Sequence, residues 1–189
     1  MNAFRNVLVK LSGVCALLVS LPVIYRIYEG DLLNPTSYFL WSSLSLVCFV
    51  VLIRANEGGH TMMVGYFLSD LCIGTYALIK GGQSKFGWFE ILVICLTVIC
   101  AAIFARCELR KKYNPAVIAS GIACVVAGIP LLIDAFVHPY KMSYMICLCY
   151  LAISLFGYFG ETTFKGKFIP GLSAVYWLVI LGGVAVERA

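Results

Sequence analysis

One carboxylate stands out in the sequence because it interrupts an apolar segment. Asp70 lies near the middle of residues 62–80, where the only other charged residue is Lys80 at the end. A carboxylate in apolar surroundings can bind a cation or a hydroxyl-bearing solute, and it can also carry a proton. The structural alternative is a hydrogen bond with a Ser or Tyr of a neighbouring helix that fixes the bundle. We expect the functional role and keep the structural one open.

Aromatic and hydroxyl side chains at further positions could complete a binding site. Aromatic rings stack on planar bases and on the apolar face of sugars. The predicted substrate-binding residues besides Asp70 are Ser69, Ser143, Ser173, Tyr38, Tyr76, Tyr144, Tyr176, Trp41 and Trp177. We expect Tyr76, Tyr176 and Trp177 to lie deepest. The alternative for the aromatic residues is an interfacial belt, or simple packing.

Two prolines and two charged residues could move or close such a site. Pro22 and Pro130 are predicted inside helices, where a missing backbone hydrogen bond supplies a hinge or a static kink. Arg26 and Asp134 each follow one of these prolines by four positions. We predict that they form an ion pair that closes a gate. The alternative is two independent charges, each solvated at a helix end.

Enzymatic chemistry is not expected. The sequence shows no Ser-His-Asp order, metal-binding His pair, glycine-rich phosphate loop or paired carboxylates. The cysteines inside predicted helices are interpreted as small apolar packing residues. They are Cys48, Cys72, Cys95, Cys100, Cys124, Cys147 and Cys149. The sequence therefore predicts neither a metal site nor a cofactor.

The elements that position these residues must be transmembrane helices. A chain of 189 residues that is 62% hydrophobic and 12% charged cannot bury its apolar surface in a water-soluble core. A bilayer core about 30 Å thick requires roughly 20 apolar residues per helix. Seven spans are predicted, over 7–28, 36–54, 62–80, 88–106, 115–137, 141–160 and 168–186. The basic and apolar N-terminal residues lack a small-x-small cleavage site, so we interpret them as a retained helix.

The basic residues predict the orientation. Nine Lys and Arg residues fall on the side that holds the N-terminus and the loops after spans two, four and six, against five on the other side. Lys and Arg accumulate in cytoplasmic loops. We therefore predict a cytoplasmic N-terminus and an external C-terminus. The basic run 106–112 is interpreted as a topology signal and not as a nucleic-acid site.

An internal repeat relates the first three spans to the last three. In each half a proline near the end of the first helix precedes a charged residue, a second proline and a Ser-Tyr pair. The matched residues are Pro22 and Pro130, Arg26 and Asp134, Pro35 and Pro139, Ser37-Tyr38 and Ser143-Tyr144, and Ser69 and Ser173. Span four has no match. The predicted fold is therefore all-α, with three-helix bundles in 1–80 and 113–189 and a linker helix and basic loop over 81–112.

The repeat and one short motif resemble a known group of membrane proteins. The motif Asn-Pro-x-Ser-aromatic-x-x-Trp is formed by Asn34, Pro35, Ser37, Tyr38 and Trp41. With the three-plus-one-plus-three pattern, it resembles the group of SWEET sugar facilitators, PQ-loop proteins and bacterial nicotinamide riboside transporters. It is most similar to small bacterial relatives in that group.

The chain also departs from this group. Val23 and Leu131 follow the two repeat prolines, where a PQ-loop has glutamine. Asp70 is the nearest polar residue to the third-helix asparagine of the sugar facilitators, so the resemblance does not fix a sugar as the substrate.

The resemblance implies a small-solute transporter of a bacterial plasma membrane. Alternating access between the two bundles would use Pro22 and Pro130 as hinges. A non-transporting scaffold, sensor or partner subunit is the other class that stays open. The expected partners are a small-molecule solute and the lipid bilayer, without nucleic acid, and homo-oligomer formation stays open.

Overall fold

The computed structural model describes residues 2–31, 33–57, 59–84, 86–137 and 143–186, with the side chains of Asn2, Asp134 and Val186 outside that description. The described residues form helices and no strands. The helices are α1 Asn2–Leu18, α2 Ser20–Tyr28, α3 Pro35–Arg54, α4 His60–Ile79, α5 Trp88–Arg110, α6 Asn114–Val137, α7 Tyr144–Gly160 and α8 Phe164–Val186.

Six segments are long and apolar enough to cross a membrane, and the first of them combines α1 and α2. Helix α7 is also apolar but has 17 residues, at the short end of the range for a spanning helix. The prediction of an all-helical integral membrane protein is confirmed. Residues 138–142, including Pro139 and the predicted start of span six, lie outside the described residues.

The first span has a one-residue break in its regular hydrogen-bond pattern at Val19, between α1 and α2, although the Val19 backbone itself stays helical (φ −63°, ψ −16°). Pro22 explains the position of the break, because its nitrogen cannot donate to the carbonyl of Leu18 and its ring crowds that carbonyl. Pro130 has no such effect, since α6 runs through it without a break. The two prolines that the repeat pairs therefore lie in different local structures.

The motif that begins at Asn34 starts α3 and ties it to α5. The Asn34 side chain accepts a hydrogen bond from the Thr36 backbone N–H at 3.2 Å, which caps the helix. Asn34 Nδ2 and Ser37 Oγ donate to Glu90 Oε1 at 2.9 and 2.7 Å. Glu90 Oε2 accepts from the Gly87 backbone N–H at 2.8 Å. One buried carboxylate thus joins the first turns of two helices.

The helices pack in a regular order. In the first half, α4 packs against both α1 and α3, and in the second half α8 packs against both α6 and α7. The two largest contacts between the halves are α1 with α7 and α3 with α6, and α4 also touches α7. Helix α5 packs against α3 and α6.

The contact of α1 with α4 depends on glycine. A Cβ atom at Gly65 would collide with the Gly13 carbonyl oxygen and would lie 2.7 Å from the Ala16 Cβ. Thr61 Oγ1 donates to the Val9 carbonyl at 3.1 Å across the same crossing. Small residues allow helices in lipid to approach until their backbones touch.

Candidate functional site

A cavity of about 790 Å³ lies between the two halves of the protein. Its wall comes from α2, α3 and α4 on one side and from α6, α7 and α8 on the other, with the start of α5 at one end. The lining extends from the middle of the helices to the end where α2 and α6 stop and α3, α5 and α7 begin. Trp88 and Val137 line this end and are 65% and 59% exposed, so the cavity opens there. Its volume is in the range of about 300–1,000 Å³ that is typical of small-molecule sites.

Asp70 lies in the wall of this cavity. Helix α4 turns Met63, Tyr66 and Asp70 to the cavity because their spacing places them on one helix face. Among the described residues, no hydrogen bond or ion pair reaches the Asp70 carboxylate. The other charged member of the described lining is Arg26, whose Nη2 lies 2.6 Å from Asp31 Oδ2. Asp70 is therefore a carboxyl group without a partner among the described residues, in the wall of the cavity.

A group of aromatic rings, mostly from α7 and α8, lines the same cavity as Asp70. The rings of Tyr150 and Trp177 are stacked, with centroids 4.4 Å apart and planes 6° apart. Tyr176 packs edge-on against Trp177 at 5.3 Å, and Tyr66 of α4 lies 5.8 Å from Tyr150. All four residues line the cavity. We call Tyr66, Tyr150, Tyr176 and Trp177 the aromatic wall.

Most hydroxyl groups near the aromatic wall already have partners. Tyr176 donates to the Gly128 carbonyl at 2.7 Å, which joins α8 to α6. The hydroxyls of Ser154 and Ser173 share a hydrogen bond at 2.7 Å, and the Tyr66 hydroxyl lies beside them. The Tyr66 hydroxyl is nevertheless buried without a hydrogen-bond partner among the described residues, so the cavity wall keeps polar groups that a solute could bind.

The structure brings most of the predicted substrate-binding residues into the cavity lining. They are Tyr38, Trp41, Asp70, Ser143, Ser173, Tyr176 and Trp177. The remaining predicted binding residues, Ser69, Tyr76 and Tyr144, are outside the lining. Ser69 is buried in helix packing, and Tyr76 lies near the end of α4, where Lys80 Nζ is 5.8 Å from its ring centroid.

The predicted gate and hinge residues are distributed differently. Arg26 and Pro130 line the cavity, whereas Pro22 lies outside the lining, beside the helix break at Val19. Arg26 pairs with Asp31, its neighbour in the loop that follows α2. The side chain of Asp134 lies outside the described residues, so its pairing with Arg26 stays a prediction.

At the end of the protein opposite the cavity mouth, beyond the packed core in which the cavity ends, two loops bind each other through carboxylates. The Gly59 backbone N–H donates to Glu161 Oε1 at 2.6 Å. In the reverse direction, Thr163 Oγ1 donates to Glu57 Oε2 at 2.7 Å and Lys165 Nζ lies 3.3 Å from Glu57 Oε1. We call these five residues the carboxylate clasp. It connects the loop between α3 and α4 with the loop between α7 and α8.

Sequence reasoning missed two parts of this arrangement. Tyr66 lies one helical turn before Asp70, and that spacing could have identified it. Glu57 and Glu161 are separated along the chain by as many residues as Ser69 and Ser173, so the repeat could have paired them. No comparable signal pointed to Tyr150.

Comparisons with known proteins add no further assignment. The chain matches no protein-family model, no curated protein and no solved structure.

Proposed function

We propose that the protein is a small-solute membrane transporter that works by alternating access between two three-helix halves. The observation that carries this proposal is the cavity between the halves, which holds the unpaired Asp70 and opens at one end, while the carboxylate clasp joins the two halves at the other end of the protein. In a subunit that does not transport, an unpaired carboxyl group in a cavity large enough for a small solute would only destabilise the packing of the helices.

The packing order supports two equivalent halves. The third span of each half, α4 or α8, packs between the other two. The contacts that cross the molecule also correspond, because the repeat equates α1 with α6 and α3 with α7. Helix α5 then serves as the linker. Equivalent halves that meet at equivalent surfaces can rock against each other and exchange which end is open.

The conformation indicates how one step of the cycle would proceed. Opening of the closed end requires that Gly59 and Thr163 leave Glu161 and Glu57. At the other end, α2 carries Arg26 at the cavity mouth and is separated from α1 by the break at Val19. A rotation about this break would swing Arg26 across the mouth. We infer from the positive-residue count that the clasp lies on the cytoplasmic side, in which case this conformation faces outward.

The sequence contains no nucleotide-binding motor, so transport proceeds by facilitated diffusion or with a proton. If a proton is coupled to transport, Asp70 is the residue that would carry it, because it is the ionisable group nearest the middle of the cavity wall. Uptake assays with and without a proton gradient separate these two mechanisms.

Side-specific labelling of one cavity residue tests alternating access without knowledge of the solute. In a variant whose nine native cysteines are replaced, Ser45→Cys places a thiol in the cavity wall. A small membrane-impermeant thiol reagent should label it from both sides of the membrane. Ser43→Cys, on an exposed face of the same helix outside the lining, is the matched control and should be labelled from neither side.

The alternative function, a non-transporting scaffold, sensor or partner subunit, gives a different result. A static bundle would admit the reagent to Ser45→Cys only from the mouth side. Such one-sided labelling, together with no uptake of any solute into proteoliposomes, would overturn the transporter proposal.

A further inference from the structure

We propose that Cys48 and Cys124 form a redox-sensitive pair, and that their oxidation to a disulfide locks the two halves with the cavity open at its mouth. Cys48 belongs to α3 in the first half, and Cys124 belongs to α6 in the second half. Formation of the disulfide is independent of the transport function, whereas the lock rests on the alternating access proposed above.

The two thiols touch where α3 packs against α6. Their sulfur atoms are 3.5 Å apart. Cys48 Sγ also donates to the Ser120 backbone carbonyl of α6 at 3.8 Å, which holds this thiol at the helix contact. Sulfur atoms that are already in van der Waals contact need only a small side-chain rotation to reach bonding distance. Two cysteines from different halves therefore lie where a disulfide can form.

The pair lies at the inner end of the cavity. Ser45, one helical turn before Cys48, is the last residue of α3 in the lining, and Cys124 is itself in the lining. Cys48 is fully buried, whereas Cys124 is half-buried. A small oxidant that enters through the mouth can therefore reach Cys124, and Cys48 lies directly behind it.

The oxidation requires one small hydroperoxide, such as hydrogen peroxide. The Cys124 sulfur attacks a peroxide oxygen, the O–O bond breaks, and the hydroxide that leaves takes up the thiol proton as water. The Cys48 sulfur then attacks the sulfenic acid on Cys124. The S–S bond forms, the S–O bond breaks, and the departing hydroxide leaves with the Cys48 proton as a second water. Two thiols lose two electrons in all, and the peroxide is reduced to two water molecules.

The surroundings of the pair explain why the disulfide would act as a lock. Cys48 belongs to the buried core, together with Val51, Leu52 and Val117, that lies between the cavity and the carboxylate clasp. For the cavity to open toward the clasp, α3 and α6 must separate in this core. A covalent bond between Cys48 and Cys124 prevents that separation and leaves the mouth open.

A third thiol provides a matched control. Cys100 of α5 lies within electrostatic range of Cys124, but its sulfur donates to the Ala119 backbone carbonyl at 3.7 Å. Helix α5 is the proposed linker, so a disulfide to Cys100 would not join the two halves. We expect Cys124 to pair with Cys48 because those two sulfur atoms are in contact.

Joining of two fragments tests the disulfide without knowledge of the solute. A specific protease site is inserted between Gln83 and Ser84, in the loop between α4 and α5, so that cleavage separates Cys48 from Cys124. The purified full-length protein is treated with hydrogen peroxide, its remaining thiols are alkylated, and it is then cleaved. The fragments should stay joined on a non-reducing denaturing gel, and dithiothreitol should separate them.

Variants assign the bond to the proposed pair. Cys48→Ala and Cys124→Ala should each abolish the joining, whereas Cys100→Ala should leave it unchanged. Alanine is chosen because it is small and apolar like the buried thiol that it replaces. Fragments of the oxidised wild-type protein that separate without reductant would overturn the proposal. Fragments that stay joined in Cys124→Ala would do the same.

Side-specific labelling tests the lock. The reporter is Leu131→Cys, in the cavity wall about two helical turns from Cys124 toward the mouth. It is placed in a variant that keeps Cys48 and Cys124 and lacks the other native cysteines. A membrane-impermeant thiol reagent should label the reporter from both sides before oxidation. After peroxide treatment, labelling from the clasp side should be lost, labelling from the mouth side should persist, and dithiothreitol should restore the loss.

The outcomes separate the lock from the proposed function. Two-sided labelling that oxidation leaves unchanged, although the fragments are joined, would overturn the lock alone. Labelling from the mouth alone before any oxidation would overturn the proposed transport function, and the lock with it, whereas the fragment test would still decide the disulfide.

Discussion

Glu57 and Glu161 each accept a hydrogen bond from the loop that carries the other residue. Thr163, two residues after Glu161, donates to Glu57, and Gly59, two residues after Glu57, donates to Glu161. The same number of residues separates the two carboxylates as separates Ser69 and Ser173, so the predicted repeat would pair them. The reciprocal bonds therefore have the symmetry that two equivalent halves would impose on this end of the protein.

Removal of the Glu161 carboxylate should open this end. Hydrogen bonds to charged groups contribute about 1.5–3 kcal/mol, and about 1.4 kcal/mol is a tenfold change in an equilibrium constant. Glu161→Ala should therefore increase labelling of Ser45→Cys from the clasp side by roughly tenfold or more. Glu29→Gln, at an exposed carboxylate directly after α2 and away from the clasp, is the control. An unchanged labelling rate would mean that the clasp does not hold the closed state.

Replacement of the glycine at the crossing of α1 and α4 should destabilise the protein, even by a side chain as small as that of alanine. The Cβ of Gly65→Ala would press against Gly13 and Ala16, and overpacking of this kind costs about 1–3 kcal/mol. Gly182→Ala is the matched control, because no atom lies within 4 Å of the added Cβ. Thermal unfolding in detergent should show a lower midpoint for Gly65→Ala alone. Equal midpoints would contradict the close crossing.

Pro22→Ala should restore the hydrogen bond to the Leu18 carbonyl and make α1 and α2 continuous. If the break at Val19 allows α2 to move, uptake should fall while solute affinity is retained. Pro130→Ala is the comparison, since α6 is already unbroken, and it should have a smaller effect on uptake. A larger effect at Pro130 would place the hinge in the second half.

Glu90→Ala should destabilise the entrance of the cavity. The carboxylate accepts from Asn34, Ser37 and Gly87, and each donor left unsatisfied costs about 1–3 kcal/mol. We expect a lower unfolding midpoint and a smaller loss for Glu90→Gln, which retains one acceptor oxygen. An unchanged midpoint in Glu90→Ala would mean that water replaces the carboxylate without cost.

The sequence identified Asp70 because one charge in an apolar segment is visible without any structure. It could not separate Asp70 from Ser69, since neighbouring residues on a helix point about 100° apart and only packing decides which one faces the cavity. In this protein Asp70 faces the cavity and Ser69 faces the helix packing.

Tyr150 was beyond sequence reasoning for a related reason. Helix α7 is apolar on all sides, so its sequence does not indicate which face turns inward. The all-helical fold and most span limits were predictable, because the length of apolar segments is set by the bilayer. The break at Val19 was not located beforehand, although Pro22 indicated that a kink was available.

The position of Asp70 also affects the biogenesis of the protein. Helix α4 is synthesised before α6, α7 and α8, which supply half of the wall around the carboxylate. Until they arrive, Asp70 has lipid, water or the insertion machinery as its neighbour, and insertion of such a residue at the centre of a helix costs about 2.5–3.5 kcal/mol. In a nascent chain that stops after α5, the Asp70 carboxyl group is therefore exposed, whereas in the complete chain the later helices surround it. Membrane proteases could use that exposed carboxylate to recognise unfinished copies.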